Sequence, residues 1–290
     1  MTALALAFGW HLHLAWLLVV IAVGTAYIRA TQRVGWEATP RQRVLFLVAV
    51  ALLCIAVTWP LGDLAAHWSL VALVLQRLLL LLAVPPLVVA GTPRPILARL
   101  TRPAAVDVFL RIAVKPIPAI AVVTVVAVGT LTTGAVNLAS HSDLARVIFQ
   151  LLVLASGVVL WAPVLTELPG VRRLSSLGRG GYLIVQSIVP SFLSVVWIFA
   201  RRSLYPSYSK AGTVAGMSPV LDQQLAGFLA KFSTIAVLWT VAFIIIRRSP
   251  EFSGGEDEAG PLLWSDVERE IERADRRERR GGSPGPPSAA

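Results

Sequence analysis

Residues 68–90 read WSLVALVLQRLLLLLAVPPLVVA, an apolar run interrupted near its middle by Arg77. A helix needs roughly 20 apolar residues to cross the hydrocarbon core of a bilayer, because each residue advances it by about 1.5 Å. The run therefore predicts a membrane-spanning helix. An arginine at mid-bilayer costs on the order of 3 kcal/mol, so we expect Arg77 to face the interior of a helical bundle and to have a partner there.

Several such runs occur along the chain. Apolar residues make up 56% of the sequence and charged residues only 14%, whereas soluble domains are about 25% charged. This composition excludes a single water-soluble core and predicts an all-α polytopic membrane protein. Residues 1–248 are expected to form a bundle of seven transmembrane helices, with spans near 10–28, 44–60, 68–90, 117–136, 146–164, 182–200 and 226–246. Trp161 and other tryptophans near the span ends are expected to be interface anchors.

The basic residues predict the orientation of this bundle. Fourteen arginines and lysines follow the first, third, fifth and seventh spans, against four on the opposite side, which are Arg146, Arg201, Arg202 and Lys210. Because cytoplasmic loops carry the excess of positive charge, the N-terminus is expected outside and the C-terminus in the cytoplasm of a plasma-membrane protein. The net charge of +10 lies in loops beside the lipid bilayer, so nucleic acid is not an expected partner.

Residues 249–290 differ in character from the membrane domain. Gly254 and Gly255 with the acidic residues that follow them form a linker, and Ser265 to Glu268 has the pattern of a capping box. We expect a short charged helix at about 265–280, followed by a disordered Gly/Pro/Ser-rich end. The segment therefore predicts a cytoplasmic tail.

Three histidines are candidate metal ligands, because copper accepts nitrogen donors. His11 and His13 flank the outer end of the first span, and His67 stands at the outer end of the third. On one helix His11 and His13 would point about 200° apart, so a single helix cannot present both to one ion. Interfacial or hydrogen-bonded histidines are the alternative. The one cysteine, Cys54, lies inside a span and leaves no CxxC pair.

Polar residues near the spans form the candidate functional cluster, which consists of Arg77, Gln76, Asp222, Gln223 and Gln224. Asp222 lies just before the predicted seventh span and is the best carboxylate partner for Arg77. The alternative gives Asp222 a helix-capping role, and gives Arg77 backbone carbonyls or a water pocket. No hydrolase, zinc-protease or phosphate-loop motif occurs in the sequence, so no catalytic residue is predicted.

Four motifs resemble the polytopic CtaG family of cytochrome c oxidase assembly factors. They lie in residues 67–93, 157–164 (GVVLWAPV), 204–208 (LYPSY) and 218–227 (SPVLDQQLAG), and together they span roughly residues 45–246. The last motif is the most specific. The resemblance implies a seven-span protein, oxidase subunits as partners and copper as a candidate cargo.

Members of that family commonly have two histidines where this chain has Leu73 and Arg77, four residues apart on one helical face. A histidine pair with this spacing is good metal-binding geometry, and both positions differ here. The resemblance implies a non-catalytic membrane factor that assists copper delivery or subunit maturation for a haem-copper oxidase. A copper or small-solute permease or channel, and an accessory subunit of a respiratory complex, remain alternatives.

Overall fold

The fold is taken from a computed structural model of the 290-residue chain, which describes residues 14–33, 35–58, 60–104, 106, 108, 115–165, 174–210 and 216–249. The chain divides into two compact units, Met1–Phe243 and Ile244–Ala290. Of the second unit only residues 244–249 are described, and they complete the last helix and its final turn. The predicted tail helix and the disordered end lie outside the described residues.

The first unit is built from helices. In chain order they are α1 (Leu14–Thr31), α2 (Pro40–Val57), α3 (Leu61–His67), α4 (Leu70–Leu78), α5 (Val84–Gly91), α6 (Arg94–Leu100), α7 (Pro116–Gly129), α8 (Thr133–His141), α9 (Asp143–Trp161), α10 (Ser176–Ile188), α11 (Phe192–Phe199), α12 (Pro206–Lys210) and α13 (Pro219–Arg247). A π-helical turn, Leu79–Ala83, joins α4 to α5, and a 3₁₀ turn, Val189–Ser191, joins α10 to α11.

Five helical stretches of the described chain are long and apolar enough to cross a membrane: Pro40–His67, Leu70–Gly91, Asp143–Trp161, Ser176–Phe199 and Pro219–Arg247. The pair α7 and α8 makes a sixth if it is one bent span. Large apolar side chains such as Leu47, Ile117 and Phe192 lie exposed on the outside of these helices, as lipid contact requires. A helical multi-span membrane protein is therefore confirmed, and the count of seven spans stays a prediction.

The fourth and the seventh predicted spans have boundaries in the structure that single side chains set. The fourth is bent by 61° between α7 and α8, and the Thr132 side chain starts α8 by accepting a hydrogen bond from Ala135 N. The seventh begins at Pro219, because the Ser218 hydroxyl accepts the hydrogen bond of Leu221 N at 3.2 Å. This earlier start places Asp222 within the helix.

The π-helical turn between α4 and α5 contacts α9 closely. Pro85 has no N–H to donate to the Leu81 carbonyl one turn earlier, and the Trp161 indole nitrogen donates to that carbonyl at 3.2 Å. Trp161 is only 4% exposed, so its prediction as an interface anchor is wrong. Gly157 makes this contact feasible, because a Cβ there would lie 2.6 Å from Pro85 Cγ and 2.8 Å from Leu81 O.

Candidate functional site

Three motif segments that are distant in sequence meet at the end of the bundle where α4 begins. We call this region the motif end and define it by Ser69, Leu204–Tyr208 and Asp222. The Asp222 carboxylate accepts hydrogen bonds from Ser69 Oγ and from Leu70 N, each at 2.6 Å. It is 6% exposed. One buried side chain from α13 therefore caps the N-terminus of α4.

The physical reason for this contact lies in the start of α4. The first N–H groups of a helix have no partner within it, and its N-terminus carries partial positive charge. Ser69 satisfies Ala72 N with its hydroxyl oxygen at 3.2 Å, and Asp222 satisfies Leu70 N. A capping role was the alternative prediction for Asp222; the helix that it caps is α4 and not its own.

The two residues after Asp222 fix two further segments. Gln223 Oε1 accepts a hydrogen bond from Leu204 N at 2.8 Å, and Gln224 Nε2 donates to the carbonyl of Ala200 at 3.2 Å. Because side chains of successive helical residues point in different directions, one turn of α13 holds α4, the end of α11 and the following loop.

The Leu204–Tyr208 segment is tied to the bundle by its two tyrosines. Tyr205 donates its hydroxyl hydrogen to Leu131 O at 2.5 Å, and Tyr208 donates to Ala65 O at 2.6 Å. Burial raises the pKa of Tyr205 to about 12 and raises the pKa of Tyr208 further above its ordinary value. Both hydroxyls therefore remain protonated donors at neutral pH.

Helices α13 and α11 approach closely beneath the motif end. A Cβ added at Gly227 would lie 2.8 Å from Ser194 O and 3.1 Å from the Trp197 Cβ. A side chain has no room there, which accounts for glycine as the last residue of the SPVLDQQLAG motif.

Arg77 lies apart from this network. It is 6% exposed, and its Nε and Nη1 atoms are buried without a hydrogen-bond partner among the described residues. The ion pair between Arg77 and Asp222, one of the two interpretations that the sequence left open, does not occur among the described residues. Asp222 contacts the start of α4, whereas Arg77 lies about 10 Å further along by helical rise.

The candidate cluster therefore divides in two. Asp222, Gln223 and Gln224 come together at the motif end. Gln76 ties α4 to α2 by donating from Nε2 to Ala56 O at 2.7 Å, next to Arg77 in sequence but outside the capping network.

Two cavities border Arg77. The smaller, of ≈ 10 Å³, is also lined by Leu73, Gln76, Ala139, Arg146 and Tyr208. The larger, of ≈ 70 Å³, is mostly apolar. Thr130 borders both cavities, and its hydroxyl has no hydrogen-bond partner in the described structure.

Sequence reasoning missed Arg146, because a basic residue at the start of a span reads as a loop charge. In the structure its side chain is 13% exposed and contacts the exposed Asp143 carboxylate at 3.0 Å. Its Nε donates to Ala139 O at 3.3 Å. The only hint in the sequence was that Arg146 is the first residue of the predicted fifth span.

No group of three or more His, Cys, Asp or Glu side chains that could hold a metal ion occurs in the described part of the chain. His67 lies exposed on α3, while His11 and His13 lie outside the described residues. Leu73 and Arg77 both line the smaller cavity, which borders α8 and α9.

The fold and site define a polytopic helical membrane protein that has one end closed by buried hydrogen bonds and a buried arginine in its interior. Residues 22–249 match the family described as cytochrome c oxidase caa3 assembly factor (Caa3_CtaG), and the chain belongs to that family. The family indicates a role in cytochrome c oxidase assembly. Comparisons with curated proteins and with solved structures gave no match.

Proposed function

We propose that this chain assists subunit maturation of a haem-copper cytochrome c oxidase in the plasma membrane, by holding an oxidase subunit at the motif end. The family match over residues 22–249 is the observation that carries this proposal. The positions of the motifs support it, since Asp222 brings two of them together at one surface.

The hydrogen bonds at the motif end favour a docking role over a gating role. Asp222, Gln223 and Gln224 each engage a different segment of the chain, so movement of one segment would break buried contacts. A surface that is already ordered binds a partner with less loss of conformational entropy. The motif end therefore has the properties of a preorganised binding surface.

The proposed topology has seven spans, with the N-terminus and the motif end outside and the C-terminus in the cytoplasm. The excess of arginine and lysine in the loops on the opposite side supports this orientation. Reporter fusions at the two chain ends test it. Both ends in the same compartment would contradict an odd number of spans.

Direct copper handling is the less supported form of the function. Arg77 and Arg146 line one small cavity, and Leu73, which has no metal-binding group, lines it with them. Two fixed positive charges repel a copper ion at this place. Outer-face delivery through His11, His13 and His67 remains the copper route that the sequence offers.

The decisive experiment deletes the gene and records the haem a absorbance and the copper content of the oxidase. We expect both signals to fall and to return with the wild-type chain. Restoration by Glu37→Ala but not by Asp222→Ala would support the motif end as the working surface, provided that Asp222→Ala reaches the membrane in normal amount. Unchanged spectra and respiration in the deletion strain would overturn the proposal.

The same preparations distinguish the two alternatives. A permease predicts copper or solute flux in proteoliposomes that collapses on Arg77→Leu. An accessory subunit predicts stoichiometric retention in the mature, active oxidase. An assembly factor predicts co-purification with immature oxidase subunits only, and no flux.

A further inference from the structure

Arg77 is a buried cation without a counter-charge in the described structure. Its Nε and Nη1 atoms have no hydrogen-bond partner, and it forms no ion pair there. A buried charge that lacks a partner strongly destabilises the folded state. Unpaired buried donors in a native fold call for an explanation, and a bound anion is the species that would satisfy them.

A second arginine shares the same space. Arg146 lines the ≈ 10 Å³ cavity together with Arg77. The carboxylate that contacts Arg146 belongs to Asp143, whose side chain is 91% exposed and does not line the cavity. Water therefore weakens the ion pair between Asp143 and Arg146, and the charge of Arg146 is not fully neutralised at the cavity.

The remaining polar groups around the cavity do not supply negative charge. No acidic residue is among those that line it. The hydroxyl of Tyr208 donates to Ala65 O, and burial keeps it protonated. The buried carboxylate of Asp222 accepts hydrogen bonds from Ser69 and Leu70 at both of its oxygens.

The size of the cavity limits its occupant. A volume of ≈ 10 Å³ has room for about one water-sized particle, so only a small anion enters without movement of the side chains that line the cavity. The unpaired Thr130 hydroxyl beside it is a further donor. Two guanidinium groups and the Thr130 hydroxyl around this small space are donors of the kind that a halide accepts.

We propose that the cavity between α4, α8 and α9 binds one monatomic anion of the chloride class, held by Arg77 and Arg146. The inference does not depend on the oxidase role, because it rests on charge, burial and volume alone. A bound anion would neutralise the interior of the bundle at the positions where the family resemblance implies histidines.

Chloride-dependent stability of the full-length protein in detergent tests the proposal. Sodium chloride replaces sodium gluconate at constant ionic strength, and the thermal unfolding midpoint is recorded. We expect the midpoint to rise by about 5 °C and then to saturate, since a ligand of the folded state stabilises it. Bromide should replace chloride, and sulfate should not.

Variants distinguish this site from a general salt effect. Arg146→Gln should raise the half-saturating chloride concentration by about tenfold or more, and Ala139→Val should abolish the response by filling the cavity while both charges remain. Arg201→Gln removes an exposed arginine and is the matched control, so its response should equal that of the wild type. Arg146→Gln and Ala139→Val also keep the test valid if variants of Arg77 fail to fold.

Two results would overturn the proposal. One is a wild-type midpoint that does not depend on chloride, which would leave a water molecule only in the cavity. The other is a chloride response that persists unchanged in both Arg146→Gln and Ala139→Val. A bromide anomalous peak beside Arg77 in crystals would locate the anion directly, and a peak elsewhere with none at Arg77 would also count against it.

Discussion

The motif end and the surroundings of Arg77 are both buried and polar, but they satisfy their polar groups in opposite ways. At the motif end Asp222 is matched to the donors of Ser69 and Leu70. About two helical turns away, Arg77 keeps donors without a partner next to a cavity. At the motif end the described residues satisfy the hydrogen bonds of Asp222 by themselves. The unpaired donors of Arg77 need a bound ligand to be satisfied. The difference separates a residue that holds the fold from one that is available to a ligand.

Removing the carboxylate from the motif end should have the largest effect. Asp222→Ala leaves the Ser69 hydroxyl and Leu70 N buried without an acceptor, so we expect a loss of about 3 kcal/mol in the free energy of unfolding. Chemical or thermal unfolding in detergent measures it. Glu37→Ala, at an exposed residue that accepts only from Gly35 N in the described structure, is the control. Equal effects of the two variants would break the comparison.

Closing the space between α13 and α11 should have the next largest effect. Gly227→Ala places a Cβ 2.8 Å from Ser194 O, and we expect a loss of about 2 kcal/mol from overpacking. Gly181→Ala on α10 is the matched control, because nothing lies within 4 Å of its added Cβ. Unfolding of the two variants measures the difference. The prediction fails if Gly181→Ala is the more destabilised of the two.

Removing the charge of Arg77 should change stability in the opposite direction. In halide-free buffer Arg77→Met replaces an unpaired buried cation by an apolar side chain, and we expect a gain of about 1 kcal/mol. The same substitution should lose the chloride response. Unfolding midpoints in gluconate and in chloride measure both effects. A large destabilisation in gluconate would show that Arg77 is as fully satisfied as Asp222.

The smallest effect concerns pH. The pKa of Tyr205 is raised to about 12 in the folded chain, whereas an unfolded tyrosine ionises near its ordinary value of about 10. Between these two pKa values the unfolded state binds fewer protons than the folded state. The contribution of Tyr205 to the free energy of unfolding is therefore fully present below about pH 10 and is lost as the pH rises toward 12. The unfolding midpoint should therefore fall less steeply in Tyr205→Phe than in the wild type. Parallel pH profiles would refute this assignment.

The fold was predictable from the sequence to the extent that local signals govern it. Apolar runs indicated the helices, and the burial of Arg77 followed from its place within a run. The break between α7 and α8 and the early start of α13 were missed, because they depend on single hydroxyl caps at Thr132 and Ser218. A single hydroxyl cap changes the hydropathy of a long apolar segment very little, so the apolar pattern does not indicate it.

The site was predictable in composition but not in arrangement. All five residues of the predicted cluster are buried or half-buried in the structure, yet they divide into two groups that do not bond to each other. The partner of Asp222 could not be read from the sequence, since 152 positions separate it from Leu70. Arg146, the second arginine of the cavity, was interpreted as a loop charge, because the sequence does not show that it lies near Arg77.

The sequence by itself determined that this chain is a helical membrane protein and that Arg77 lies in its interior. Those properties follow from the cost of placing polar groups in hydrocarbon, which each segment carries alone. Only the tertiary structure decided that the capped helix is α4, that Trp161 bonds the carbonyl freed by Pro85, and that Arg146 and Arg77 line the same cavity. Those properties depend on distances between segments, and hydropathy along one chain contains no such distances.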